Sequence, residues 1–257
     1  MSSVLVIAAS DSSGGAGLTR DVETLTHLDT AVRCCVTAVT VQTDAQLREI
    51  HVVPPALVRA QIAAALEGGA IGAVKIGMLA SAATVQAVAE ALPHTSLPIV
   101  LDPVLAASSG GALLDPEGSA LLRHLLIPRV ALLTPNLPEA AALLGEPVAL
   151  GEAAQLAQLR ALVALGAGAV LLKGGHAPAP ADVVIDRLLV AGGEVIPLRV
   201  ARVPAQRRGT GCSASSAIAA HLAAGRPVLE ACRAAQAYVA AALRRCGPAE
   251  PASPGRV

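Results

Sequence analysis

Arg208-Gly209-Thr210-Gly211-Cys212 runs directly into the apolar segment 213–222. A helix that opens on two glycines around a threonine leaves several backbone N–H groups without intrahelical partners. Those donors, with the positive end of the helix dipole, form an anion site suited to phosphate. Cys212 falls in the first turn of the same helix. There the field favours thiolate over thiol, by about 0.3–1 kcal/mol from the dipole alone. A phosphate cradle and an activatable base within one turn point to phosphoryl transfer onto a hydroxyl.

Lys173-Gly174-Gly175-His176 closes a strand of aliphatic residues. A lysine in that place must reach an anion or solvent, and both stay open as its partner. The glycines let a ligand approach its base. His176 reads as a loop histidine, since a Cys212–His176 hydrolase pair lacks the orienting third group. Thr134-Pro135-Asn136-Leu137-Pro138-Glu139 puts an amide and a carboxylate three residues apart at a helix start. They form either a capping box or a pair holding hydrated Mg²⁺ beside a triphosphate. Asp102 has the same two readings, turn cap or metal partner. The loop Asp11-Ser12-Ser13-Gly14-Gly15-Ala16-Gly17 fails as a dinucleotide fingerprint, because Arg20 stands where glycine or alanine is needed. It reads as a tight turn or as close backbone approach to a small ligand.

Composition narrows the setting. The chain has 257 residues and zero net charge, so neither nucleic acid nor an acidic membrane face is an expected partner. Mean hydropathy is +0.61, inflated by alanine, and no uninterrupted apolar run reaches the roughly 18 residues of a spanning helix. The start, Met1-Ser2-Ser3-Val4, lacks a basic segment and cleavage site, so a cytoplasmic protein is expected. Five cysteines with no C-x-x-C pair support neither a disulfide framework nor zinc. Cys34, Cys35, Cys232 and Cys246 read as buried apolar residues, and only Cys212 has a reactive setting. Without Phe or Trp, and with Tyr238 alone, the core must be aliphatic. The two lysines, Lys75 and Lys173, and the one asparagine, Asn136, all fall in motif segments. Such placement of scarce residues favours function over solubility.

Short apolar runs alternate with helical patterns almost to the end. Strands are expected at 4–9, 36–41, 73–76, 98–101, 130–133 and 169–173. Helices are expected at 17–28, 55–66, 83–92, 116–126, 138–144, 152–165, 212–224 and 229–245. This alternation predicts a three-layer α/β/α fold with a mostly parallel, doubly wound sheet. Runs 183–190 and 195–200, joined across Gly192-Gly193, add an antiparallel edge hairpin. One domain is expected over 1–246, with 247–257 a loose tail. Alanine-rich helices are compatible with a homodimer without requiring one. Ligands of such sheets bind beyond the carboxyl ends of the strands. Ser10, Gln42, Lys75 to Met78, Asp102, Asn136 and Lys173 all stand on that rim.

Taken together and in order, these segments resemble the hydroxymethylpyrimidine/phosphomethylpyrimidine kinases of thiamine biosynthesis, a ribokinase-like family. The resemblance covers about residues 4–245. It rests on Ala9-Ser10-Asp11 with Ser13-Gly14-Gly15-Ala16-Gly17, Lys75-Ile76-Gly77-Met78-Leu79 and Asp102-Pro103-Val104. It continues through Ser109-Gly110 with Ala112-Leu113-Leu114, the Thr134 to Glu139 segment, Lys173-Gly174-Gly175-His176 and Gly209-Thr210-Gly211-Cys212. Cysteine after Gly-Thr-Gly marks this branch and its pyridoxal kinase-like relatives, where sugar kinases carry aspartate.

The resemblance implies a kinase using ATP and Mg²⁺ on a small pyrimidine alcohol, with Cys212 as base. Gly209, Thr210, Gly211 and Lys173 would meet the phosphates, and Asn136 and Glu139 would serve the nucleotide. Asp102 and Glu139 would organise the metal. Ser10, Asp21, Gln42, Met78 and Val104 would hold the pyrimidine. Thr19-Arg20-Asp21 departs from the family's Gln-Ala-Asp, and Gln42-Thr43-Asp44 from its Gln-Asn-Thr. Gln206-Arg207-Arg208 replaces Asn-Thr-His. The extra arginines are either drift or the sign of a more anionic acceptor. Two rival functions remain at this point: a kinase for another ring alcohol, such as pyridoxal or a pterin-pathway intermediate, and a catalytically silent pyrimidine-binding regulator.

Overall fold

The structure is a computed structural model that describes residues 3–92, 97–107, 111–175, 182–205 and 207–246. The expected tail, 247–257, lies outside the described residues, as do His176 and Ser109-Gly110. Strand β1 (Ser3–Asp11) leads to helix α1 (Gly17–His27), then β2 (Val32–Gln42), β3 (Leu47–Val52) and α2 (Pro55–Glu67). There follow β4 (Ile71–Ile76), α3 (Ala82–Ala91), β5 (Ile99–Leu101), α4 (Pro116–Leu121), β6 (Leu132–Leu133) and α5 (Leu137–Leu144). The chain continues through α6 (Glu152–Ala164), β7 (Ala169–Leu172), β8 (Val183–Val190), β9 (Val195–Ala201), α7 (Thr210–Ala223) and α8 (Val228–Arg245).

One nine-stranded sheet has the order β3-β2-β1-β4-β5-β6-β7-β8-β9. The six strands from β2 to β7 in that order pair in parallel. β3 and the β8–β9 hairpin add antiparallel edges. Alternation along β1 explains the layers. Leu5 and Ile7 enter one core with α2, α3, α5 and α6, while Val4, Val6 and Ala8 face α1, α7 and α8. Because both faces are covered, the strands read as continuous apolar runs, and the three-layer expectation is met.

Cys35 and Cys232 are buried as expected, but Cys34 on β2 and Cys246 at the end of α8 are exposed, which corrects the expectation of burial for those two. Two elements also differ from the sequence reading. β3 was not expected: Leu47-Arg48-Glu49-Ile50-His51-Val52 mixes charge with aliphatics and lies half-exposed at the sheet edge. The helix expected over 116–126 is α-helical only to Leu121, continues as a π-turn (Leu122–Leu126), and ends in a 3₁₀ turn (Ile127–Arg129). Pro128 has no N–H to extend an α-helical ladder. Among the described residues, no helix is long and apolar enough to cross a membrane.

Ile7 is fully buried at the centre of the sheet. Ile7→Ala should lower stability by about 2–5 kcal/mol, read as a fall in the urea midpoint with an unchanged m-value.

Candidate active site

α7 begins as its glycines require. Gly209 is the N-cap, in the left-handed region at φ +74. A Cβ there would lie 2.5 Å from the Gly15 carbonyl oxygen, so only glycine fits. The Ser213 N–H donates to Gly209 O at 2.8 Å and closes the first helical turn. The N–H groups of Thr210, Gly211 and Cys212 precede that bond and sit at the positive end of the dipole. They face a cavity of about 1260 Å³ over the carboxyl ends of the strands. That is larger than one small ligand needs.

Lys173 follows β7 and reaches this helix start. Its Nζ lies 2.8 Å from Asp102 Oδ1 and 3.9 Å from Glu139 Oε2. A Cβ on Gly211 would come within 3.3 Å of the same Nζ. Burial works against the ammonium, but Asp102 and Glu139 outweigh it and hold Lys173 above the ordinary lysine range. Asp102 is buried after β5, where desolvation opposes its charge. Lys173, Lys75 and the Thr134 hydroxyl prevail and keep its carboxyl below the ordinary range. Ser215 on α7 donates to the other Asp102 oxygen at 3.4 Å.

Asn136 and Glu139 form the capping box: Asn136 Oδ1 accepts from the Glu139 N–H at 2.8 Å, and Glu139 Oε2 accepts from the Asn136 N–H at 2.7 Å. Both also line the cavity, so the two readings of this segment coincide in space. Burial and the Asp102 charge push Glu139 up to about 7, against the pull of Lys173. Among the described residues no three His, Cys, Asp or Glu side chains cluster as a metal site.

Cys212 lines the cavity and is partly exposed, with the Gly17 N–H donating to its sulfur. Gly17 can sit there at φ +58 because it has no Cβ, which would strike the Ala9 carbonyl oxygen. Burial pushes the thiol up to about 11, opposed chiefly by Lys75. The expectation of a dipole-lowered thiolate is therefore corrected. Desolvation is the largest influence on this thiol, and it disfavours the charged form.

On the acceptor side, Ser10, Gln42, Met78 and Val104 all line the cavity. Ala9, Ala38, Met78 and Leu113, with Leu47, Ile50 and Val104 beside them, make an apolar wall. Asp21 does not join them. It is fully buried beneath the site, 2.7 Å from Lys75 Nζ, and is absent from the lining. The pyrimidine-holding expectation for Asp21 is therefore corrected: on α1 it faces the sheet, where β4 supplies its partner. Sequence reading missed this pair, and it missed Ser215 and Ser216, which lie inside a segment taken as apolar. Serines one turn beyond Gly211 and Cys212 were the available signal.

The arginines that break the family pattern are occupied. Arg208 bridges Asp11 (3.0 Å) and Asp44 (3.2 Å), and Arg207 meets Glu23 at 2.8 Å. Arg20 pairs with the same Glu23 and donates to the Gly15 carbonyl. Three carboxylates cancel three guanidinium groups, which removes the charge argument for a more anionic acceptor. At the other end, Ala214 and Ile218 of α7 and Ala235 and Val239 of α8 continue the cavity as an apolar groove, faced by Val184 and Val200.

Comparison with known proteins agrees with this geometry. The profile of the family described as phosphomethylpyrimidine kinase matches residues 11–253. The hydroxymethylpyrimidine/phosphomethylpyrimidine kinase of Rhizobium meliloti (strain 1021) is 39% identical over 242 residues, covering 93% of this chain and 89% of that protein. The thiamine biosynthesis bifunctional protein ThiED of Geobacter sulfurreducens is 39% identical over 249 residues, which are 96% of this chain and 50% of that protein. The Staphylococcus aureus pyridoxal kinase, solved with AMP-PCP and pyridoxal, superposes with a TM-score of 0.85 at 28% identity, covering 95% of this chain and 88% of that one.

A thiol held near 11 makes a slow nucleophile at neutral pH. Alkylation of Cys212 by iodoacetamide, followed by peptide mass spectrometry, should rise steadily up to about pH 11. A plateau near pH 8 would show an activated thiolate in the free protein and contradict this assignment.

Proposed function

The chain belongs to the phosphomethylpyrimidine kinase family, and on that premise we propose how its residues carry out the transfer. The activity is ATP-dependent phosphorylation of 4-amino-5-hydroxymethyl-2-methylpyrimidine, its monophosphate, or both, within thiamine biosynthesis. One observation carries the assignment of roles: the open amides of α7, Lys173 and Cys212 converge on a single cavity with room for two reactants.

The amides of Thr210, Gly211 and Cys212 donate to oxygens of the transferring phosphoryl group. The Thr210 hydroxyl and the Lys173 ammonium add charge stabilisation where negative charge spreads. Asp102 and Glu139 hold Lys173 charged and aimed, so it needs no reorganisation during transfer. Asn136 fixes the start of α5 beside it. The apolar groove between α7, α8 and the β8–β9 hairpin suits the nucleoside, by burial alone, since the chain has no Phe or Trp to stack on it. Met78 and Val104 pack the acceptor ring, and Gln42 and Ser10 supply its polar contacts. Cys212 accepts the hydroxymethyl proton late in the transfer, as the acceptor oxygen bonds to phosphorus.

The donor set fits magnesium carried on the nucleotide phosphates. Glu139 Oε1 has no protein partner among the described residues, while both Asp102 oxygens are engaged. Glu139 would hold the ion, with Asp102 behind it, through the waters that magnesium retains. When bound, it would neutralise phosphate charge.

Cys212→Ala should lower kcat about 10²–10⁴-fold while nucleotide still protects against unfolding. ADP release should be measured side by side with the pyrimidine alcohol, its monophosphate and pyridoxal. Turnover of pyridoxal alone would overturn the substrate reading, and near-normal turnover by Cys212→Ala would overturn the base.

A further inference from the structure

Lys75 is the penultimate residue of β4, in register with Val6 on one side and Val100 on the other. It is fully buried on the face that packs against α1 and α7. Asp21 of α1 takes one of its three donors at 2.7 Å, and Ser216 of α7 donates to the other Asp21 oxygen at 2.8 Å. Stability does not demand such a pair. Replacing a buried ion pair by well-packed apolar residues is often neutral or stabilising. Yet Lys75 also reaches the floor of the cavity. A Cβ on Gly77 would come within 2.8 Å of its Nζ, so glycine leaves the ammonium its space.

The pair lies one turn from Cys212 on both helices: the Gly17 N–H meets the Cys212 sulfur, and four residues further along α1 and α7 Ser216 meets Asp21, which holds Lys75. The charged groups that act on Cys212 come from four places: Asp21 on α1, Lys75 on β4, Asp102 after β5 and Lys173 after β7. The two carboxylates and burial disfavour a negative sulfur, while Lys75 is the foremost group favouring it. Lys173 is already shared between Asp102 and Glu139 at the phosphate end.

We infer that Lys75 is a positioning residue for the transfer: its ammonium, anchored by Asp21 and Ser216, is the buried counter-charge of the Cys212 thiolate. The role rests on the reading of Cys212 as base. Cys212 first releases its thiol proton to solvent through the open cavity. The thiolate then takes the acceptor's hydroxyl proton while the acceptor oxygen bonds to the γ-phosphorus and the bond to the bridging oxygen breaks, releasing ADP. Lys75 stays protonated throughout.

The test compares K75M and the charge-balanced K75M/D21N with the parent protein. Alkylation of Cys212 by iodoacetamide at fixed pH should fall about tenfold or more in K75M, matching a tenfold loss of thiolate, and by less in K75M/D21N, where loss of the opposing Asp21 carboxylate offsets part of the effect. Unchanged alkylation in folded K75M overturns the inference, and K75M/D21N shows whether an uncompensated Asp21 charge is what disturbs the fold. A second readout needs neither variant. With two lysines in the chain, ¹³Cε-lysine labelling yields two signals. The Lys75 signal should show a pH step that tracks alkylation and vanishes in C212S, and a signal indifferent to Cys212 overturns the proposal. Near-normal turnover by C212A removes the base, and this role with it. An inactive C212A with unaltered alkylation in folded K75M sinks the Lys75 role alone.

Discussion

The carbonyl oxygen of Gly15 occupies the space where a side chain at Gly209 would begin. That close approach joins the loop after β1 to the start of α7. It sets Thr210, Gly211 and Cys212, the first turn of α7, on the cavity wall and brings the Gly17 N–H onto the Cys212 sulfur. Two left-handed glycines, one in each loop, make the contact without strain. Much of the candidate site is arranged around it.

Charge is then distributed so that each buried cation has a fixed partner. Lys173 is held by Asp102 and Glu139 at the phosphate end, and Lys75 by Asp21 under the sulfur. At the mouth, Arg208 ties the loop before α7 to Asp11 and Asp44, and Arg207 ties it to Glu23 on α1. Both arginines, and Asp44, depart from the family pattern, and each guanidinium stands against a carboxylate.

Much of the fold was legible because parallel strands covered on both faces must be continuous aliphatic runs. Val4, Val6 and Ala8 against Leu5 and Ile7 is such a case. β3 was not legible, because an edge strand tolerates Arg48 and Glu49 on its open side and so lacks the pattern of a buried one. The helix after Pro116 misled for a different reason: periodicity is alike for α- and π-helical turns over so few residues. Asn136 and Glu139 allowed a cap and a ligand site equally, and the folded chain uses them for the cap while leaving them on the cavity wall.

What the sequence determined by itself was local: glycines that permit a sharp helix start, a cysteine in its first turn, and aliphatic runs that must be covered. Whether the cysteine there is thiol or thiolate was decided by the fold. Desolvation and the carboxylates of Asp21 and Asp102 raise the thiol, Lys75 opposes them, and all of these come from elements far apart in the chain. Asp21 shows the same division. Its motif position survives, but packing against β4 turns it from the cavity to a lysine that no local pattern could have supplied.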